Sequence, residues 1–271
     1  MVANHVKISS RQCPKVYDIF RDAVETLDVP EPTLFIGQSS ELNAYTSGSK
    51  NPFIVIDASL VEMLTEDEIS AVIGHELGHI KCNHVIYLMV SDFVRDFAEA
   101  LSGVTFGLGT LLSSGLELAL FTWYRKAELS CDRAGLLVTQ NVESCLKLQM
   151  NLAGGARVIA DQMDTEEFVR QADLYSELDS DTLSKVYKFL MIRYRTHPYS
   201  VLRAKEIKIW SKSDQYQRIL NHDYEKTGQR EKKEIGLETQ GPPPSVTDSV
   251  KEMSGLIKTG VKGLFGKRDR E

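Results

Sequence analysis

The sequence predicts an α+β fold, predominantly α-helical. A small N-terminal β-sheet lies beside a helix carrying the pentapeptide His75-Glu76-Leu77-Gly78-His79. Three observations predict it. The candidate strands all fall before Ala58. After them, apolar residues recur three or four apart, the spacing of helix faces. At the junction, Thr65-Glu66-Asp67-Glu68 reads as a capping box, which starts the helix that carries the pentapeptide.

Taken in order, residues 14–28 read as a helix through Val16, Ile19, Phe20, Val24 and Leu27, ended by Pro30 and Pro32. Thr33–Ile36, Leu42–Thr46 and Phe53–Ile56 read as strands. The Ser47-Gly48-Ser49-Lys50-Asn51 turn makes the last two a hairpin. Leu64 and Ile69 sit where a hydrophobic staple would hold the next helix start, and Ile69, Val72 and Ile73 supply its apolar stripe. That helix is expected to run well past His79.

Val104 to Tyr124 is the most apolar stretch, with a single charge at Glu117. It is long enough to span a bilayer. Yet a single crossing would part His79 from the acidic residues that follow the stretch. Glu117 would add about 2.5–3.5 kcal/mol against insertion. The stretch is therefore read as core or as a patch on a membrane surface. A helix with Glu128 and Asp132 follows, then helix over 136–160 with a Gly154-Gly155 break. Amphipathic segments follow at 164–178 and 181–195, a stop at His197-Pro198, and a last helix from Ser200 to Trp210.

From Thr227 the composition turns charged and then Pro-rich. The expected organisation is a catalytic-type body over 1–226, a flexible linker over 227–245 and a basic amphipathic tail over 246–271. The tail places Val246, Val250, Met253, Ile257, Val261 and Leu264 on one stripe. Five Lys or Arg and one Glu lie between residues 250 and 268. Such a helix suits an anionic membrane surface; the competing reading is a helix packed on the body or a disordered end.

Hydrophobic content of 42% and charge of 26% are those of a soluble globular protein, and a net charge of −6 gives no support to nucleic-acid binding. Residues 1–12 show no apolar run. The four cysteines make no C-x-x-C pair, so they read as reduced thiols in a cytoplasm-like compartment.

The pentapeptide fits H-E-x-x-H, in which two histidines four apart on a helix reach one zinc ion and the glutamate serves as general base. His75 and His79 are thus candidate ligands and Glu76 the candidate base. A hydrolytic zinc site takes three protein ligands and keeps one position open. His84, five residues after His79, turns to another side of a continuing helix. Cys82 could reach the metal face, although buried cysteine is commonly core. Glu128 is the leading third ligand. Asp132, one turn later on the same face, can accept the outer N–H of a ligating histidine. A helix with two buried histidines is the competing reading.

With these pieces the chain resembles peptidase family M48, which includes HtpX-like and CaaX-processing zinc enzymes. The matching residues are Asn43-Ala44-Tyr45, the run Glu66 to Ile80, Glu128-x-x-x-Asp132, and His197-Pro198 with Arg203. The resemblance implies a zincin-like fold, one zinc per chain on His75, His79 and Glu128, and Glu76 as base. It also implies His197 as stabiliser of the oxyanion, Arg203 as a structural partner of the His197 segment, and an edge strand at Asn43, Ala44 and Tyr45 that takes an extended protein or peptide substrate. The implied reaction is zinc-dependent endopeptidase cleavage. The alternative is a latent peptidase or a non-cleaving zinc-bearing holdase or adaptor. Many relatives carry transmembrane helices around the motif. This chain reads instead as cytoplasmic, with peripheral attachment at the inner face of a membrane through its tail.

Overall fold

The computed structural model describes residues 4–39, 42–86, 108–177 and 199–224. In chain order it gives β1 (Val6–Lys7), α1 (Pro14–Leu27), β2 (Thr33–Gly37), β3 (Ala44–Ser47), β4 (Phe53–Asp57), α2 (Ala58–Met63) and α3 (Glu66–Lys81). Then come α4 (Leu108–Thr139), α5 (Val142–Gly154), a 3-10 turn at Arg157–Gln162, α6 (Thr165–Glu177), α7 (Ser200–Ser211) and α8 (Asp214–Leu220). The α+β, predominantly helical prediction holds.

The chain divides into two units. The first holds Met1–Met89, Ala127–Ala172 and Tyr199–His222; the second holds Val90–Lys126, Asp173–Pro198 and Asp223–Glu271. In the second unit, the described residues include the first part of α4, where Arg125 donates to Thr122 Oγ1 at 3.0 Å. Every other contact discussed below lies within the first unit.

The sheet has the order β1-β2-β4-β3. Its centre is the parallel pair β2 and β4, and β1 and β3 run antiparallel at the two edges. Ile54, Val55 and Ile56 of β4 are all buried, as expected of a strand covered on both faces. The β3–β4 turn requires glycine at Gly48. Its φ is 88°, and a Cβ there would lie 2.6 Å from the Asn51 carbonyl oxygen. The expected 42–46 strand is β3, and it is a sheet edge.

Helix α1 buries Phe20, Ala23 and Leu27. Helix α3 starts as the sequence predicts. Thr65 Oγ1 accepts from the Glu68 amide and Glu68 Oε2 accepts from the Thr65 amide at 2.8 Å, while Leu64 and Ile69 are buried in the core. The box is also tied outward, because Asn151 of α5 donates to Glu68 Oε1 at 3.1 Å.

Three expectations need correction. Helix α3 does not run well past His79: it stops at Lys81, and a turn at Cys82 and Asn83, with Asn83 at φ 55°, precedes the helical residues from His84. Asparagine tolerates that left-handed conformation, and Lys81 Nζ holds the end by donating to the Leu27 carbonyl at 2.7 Å. The apolar stretch and the Glu128 segment are one helix, α4, from Leu108 onward. No proline or helix-ending signal separates them. The break expected at Gly154-Gly155 is present, with α5 ending at Gly154, but the 136–160 helix has an earlier break as well. It breaks at Gln140 (φ 50°), after which Asn141 caps α5 by accepting from the Ser144 amide at 3.2 Å. Among the described residues no helix is long and apolar enough to cross a membrane. The 181–195 segment, His197-Pro198, the 227–245 linker and the 246–271 tail lie outside the described residues.

Candidate metal centre and active site

Helix α3 meets the later part of α4 through glycines. A Cβ on Gly74 would lie 2.9 Å from Gly135 Cα. One on Gly78 would lie 3.0 Å from Ala134 Cβ and 3.1 Å from Cys131 Cα, and one on Gly135 would lie 2.7 Å from the Ala71 carbonyl oxygen. Only hydrogen fits at these places, so the two backbones lie almost in contact. Each glycine on α3 precedes a motif histidine. The close crossing therefore brings His75 and His79 against the α4 face that carries Glu128 and Asp132.

Glu128 is fully buried. Its Oε2 stands 3.3 Å from His75 Nε2 and its Oε1 stands 3.3 Å from His79 Nε2. Ligands at zinc distances of about 2.0–2.1 Å, placed on a tetrahedron, stand about 3.3 Å apart. Each histidine's separation from its own oxygen matches that spacing, and a buried carboxylate facing two imidazole nitrogens is the donor chemistry that suits the ion the motif implies. Cys131 adds another donor nearby: its Sγ and one ring nitrogen each of His75 and His79 lie within 4.8 Å of one another.

The outer nitrogens face different neighbours. His75 Nδ1 lies 3.1 Å from Asp132 Oδ1. Asp132 in turn accepts from Arg203 Nε at 2.8 Å and from its Nη2 at 2.5 Å. All three are buried, and Gln149 Nε2 of α5 approaches the same carboxylate at 3.5 Å. Arg203 thus pairs with Asp132; the His197 segment expected as its partner lies outside the described residues. His79 Nδ1 lies 3.3 Å from His84 Nδ1, and His84 Nδ1 lies 3.5 Å from Cys131 Sγ. His84 is where a continuing helix would not put it, because the turn at Asn83 folds it back.

These contacts set the charges of the metal-free pocket. Burial opposes a charge on His75, but its hydrogen bonds to Asp132 and Glu128 outweigh that and raise it to about 10. Burial likewise opposes the Glu128 carboxylate, yet His75 and His79 hold it well below the ordinary range. Asp132 is also lowered against its burial, chiefly by the Arg203 charge. His84 is pushed down to about 4 by burial and by the nearby His79. Burial, with the carboxylates around it, pushes the Cys131 thiol well above its usual value. A pocket of this kind keeps anionic oxygens ready for a cation.

Glu76 is buried, on the same helix as the histidines. Thr46 of β3 donates from Oγ1 to Glu76 Oε2 at 2.6 Å and lies 3.1 Å from the Glu76 carbonyl oxygen. The Asp57 amide donates to the Asn43 carbonyl at 3.0 Å, so in the β3–β4 register Asn43, Tyr45 and Ser47 pair inward. The main-chain groups of Ala44 and Thr46 then point away from β4, to the outer edge of the sheet. By strand alternation Ala44 and Thr46 share one face and Asn43 and Tyr45 the other.

The structure thus brings together His75, Glu76, His79, Glu128 and Asp132, with the Asn43–Tyr45 segment entering the edge strand beside α3. His197 lies outside the described residues. Sequence reasoning missed Thr46, Gln149 and the nearness of Cys131. Only the period-2 alternation after Ala44 could have pointed to Thr46.

A model of the peptidase M48 family matches residues 10–211. The chain is 37% identical over 221 residues to the plastoglobule-localized metallopeptidase 48 of Arabidopsis thaliana, covering 81% of this chain and 63% of that protein. It is 30% identical over 190 residues to a Protease HtpX homolog of Helicobacter acinonychis, covering 62% of this chain and 57% of the relative. A Protease HtpX homolog of Thermodesulfovibrio yellowstonii is 29% identical over 98 residues, covering 35% of this chain and 34% of the relative. The chain thus spans less than two thirds of the length of each of these relatives. With the family model matching well over half of its residues, the chain belongs to peptidase family M48.

Proposed function

We propose that the chain is a zinc-dependent endopeptidase, with one zinc held by His75, His79 and Glu128 and with Glu76 as general base. The observation that carries this is the pairing of the two histidine Nε2 atoms with separate oxygens of one buried carboxylate, each at 3.3 Å. It favours Glu128 over Cys131 as third ligand, because both imidazoles face the carboxylate while the thiol contacts His84. Asp132 accepts the outer N–H of His75, which fixes the tautomer that leaves Nε2 open to the metal.

When bound, the zinc supplies a Lewis acid that polarises the scissile carbonyl and acidifies water. The chain does the rest. The edge of β3 takes the substrate as an added strand, through the main-chain groups of Ala44 and Thr46 and with Asn43 and Tyr45 flanking. Glu76 removes a proton from the attacking water and delivers it to the amine nitrogen as the C–N bond breaks. His197 stabilises the tetrahedral oxyanion. The ordering of Glu76 supports cleavage over a purely holding role, which needs no aligned carboxylate.

The chain acts in the cytoplasm, and its basic 246–271 tail attaches it to an anionic membrane surface. Co-sedimentation with anionic liposomes, lost on truncation after Tyr224, tests the tail. Metal analysis and peptide digestion test the centre. Glu76→Gln should keep zinc and lose hydrolysis, and Glu128→Ala should lose most of the zinc. Normal zinc in Glu128→Ala would remove Glu128 from the ligand set. A His197→Ala enzyme should keep zinc with kcat lowered roughly 10²–10³-fold; unchanged kcat would remove His197.

A further inference from the structure

The proposed base is not free to choose its orientation. Of the two oxygens of Glu76, Oε2 receives the Thr46 hydroxyl at 2.6 Å. That is the separation of a charge-assisted O–H···O⁻ bond. The same hydroxyl oxygen lies 3.1 Å from the Glu76 carbonyl oxygen. A threonine hydroxyl has one proton and two lone pairs. It can donate to Oε2 while the carboxylate is charged. Once Oε1 has taken a proton, Oε2 is a carbonyl-type oxygen and the hydroxyl can go on donating to it. Oε1 is left to carry the proton traffic.

We infer that Thr46 is a positioning residue for the general base, holding Oε2 of Glu76 so that Oε1 faces the reacting water. The inference rests on the peptidase reading above. It also links two parts of the site. The main-chain groups of Thr46 lie on the edge offered to the substrate, while its side chain grips the base. One residue therefore fixes where the peptide lies and where the proton acceptor lies. A β-branched side chain suits the task, because few χ1 rotamers are open to it in a strand.

The test compares Thr46→Val, which keeps the shape and loses the hydroxyl, with Thr46→Ser, which keeps the hydroxyl, in the full zinc-loaded chain. Thr46→Val should lower kcat about ten- to a hundredfold, the scale of a misplaced catalytic group. KM, zinc content and Tm should stay at wild-type values. Thr46→Ser should restore most of kcat. A crystal structure of Thr46→Val should show the Glu76 carboxylate turned from its wild-type rotamer. Wild-type kcat in Thr46→Val overturns the inference. So does an equal loss in both variants, or a loss accompanied by missing zinc or lowered Tm. If the wild-type chain cleaves no peptide, the peptidase reading falls. The Glu76 rotamer in the Thr46→Val crystal then decides the clamp by itself: a turned carboxylate sustains it and an unmoved one overturns it.

Discussion

The two histidines of the pentapeptide do the same chemical job in the proposed centre, yet their outer sides differ. His75 backs onto a buried ion pair, Asp132 with Arg203. His79 backs onto His84 and, through it, the Cys131 thiol. The first neighbourhood is charged and drives its histidine to about 10. The second contains an imidazole pushed down to about 4, which stays neutral through the physiological range. One histidine thus backs onto an ion pair and the other onto an imidazole.

Breaking the charged side should have the larger effect. Arg203→Met removes the partner of a buried carboxylate, and losses of about 3–5 kcal/mol are usual when one member of such a pair is deleted. Chemical denaturation of the metal-free variant should read this. A change below about 1 kcal/mol would mean that Asp132 is neutralised some other way.

A subtler break keeps the shape. Asp132→Asn should lower metal affinity about 10–100-fold, read by competition with a chelating dye. It should also flatten a pH dependence. His75 is raised in the folded, metal-free chain from 6.5 to about 10, so the folded state holds its proton more tightly than the unfolded one. The resulting stability is full below pH 6.5 and is lost as pH rises through about 10. Thermal unfolding of metal-free wild type should therefore fall across that window more steeply than that of Asp132→Asn. Parallel curves would show that Asp132 does not hold the proton.

The neutral side should respond least. His84→Gln keeps a polar group beside His79 and should change metal affinity less than about tenfold, the low end for loss of such a partner. A larger loss by the same competition assay would make His84 as important as Asp132 and erase the contrast.

What was readable in the sequence follows the range of each interaction. The α3 start was readable because a capping box spans only Thr65 to Glu68. Glu128 and Asp132 were readable as a pair because one helical turn puts them on the same face. The end of α3 was not, since a left-handed Asn83 has no marking in the periodicity, and the position of His84 was lost with it. Two-residue β1 is too short to leave a pattern. Arg203 reaches Asp132 across 71 positions and Thr46 reaches Glu76 across 30. Such contacts are decided by packing, and no local pattern reports them. The Gly74-x-x-x-Gly78 repeat lay in plain view inside the motif, but its role needs Gly135 opposite.

That glycine crossing has a mechanical consequence. A spacer made of side chains can change rotamer and let two helices breathe without altering their axes. Backbone lying on backbone has no such slack. The distance between the donors on α3 and the donor on α4 is therefore tied to the separation of the helices themselves. An ion shared between them would act as a strain gauge: cobalt substituted at the centre would change colour when the helices part, ahead of any loss of secondary structure.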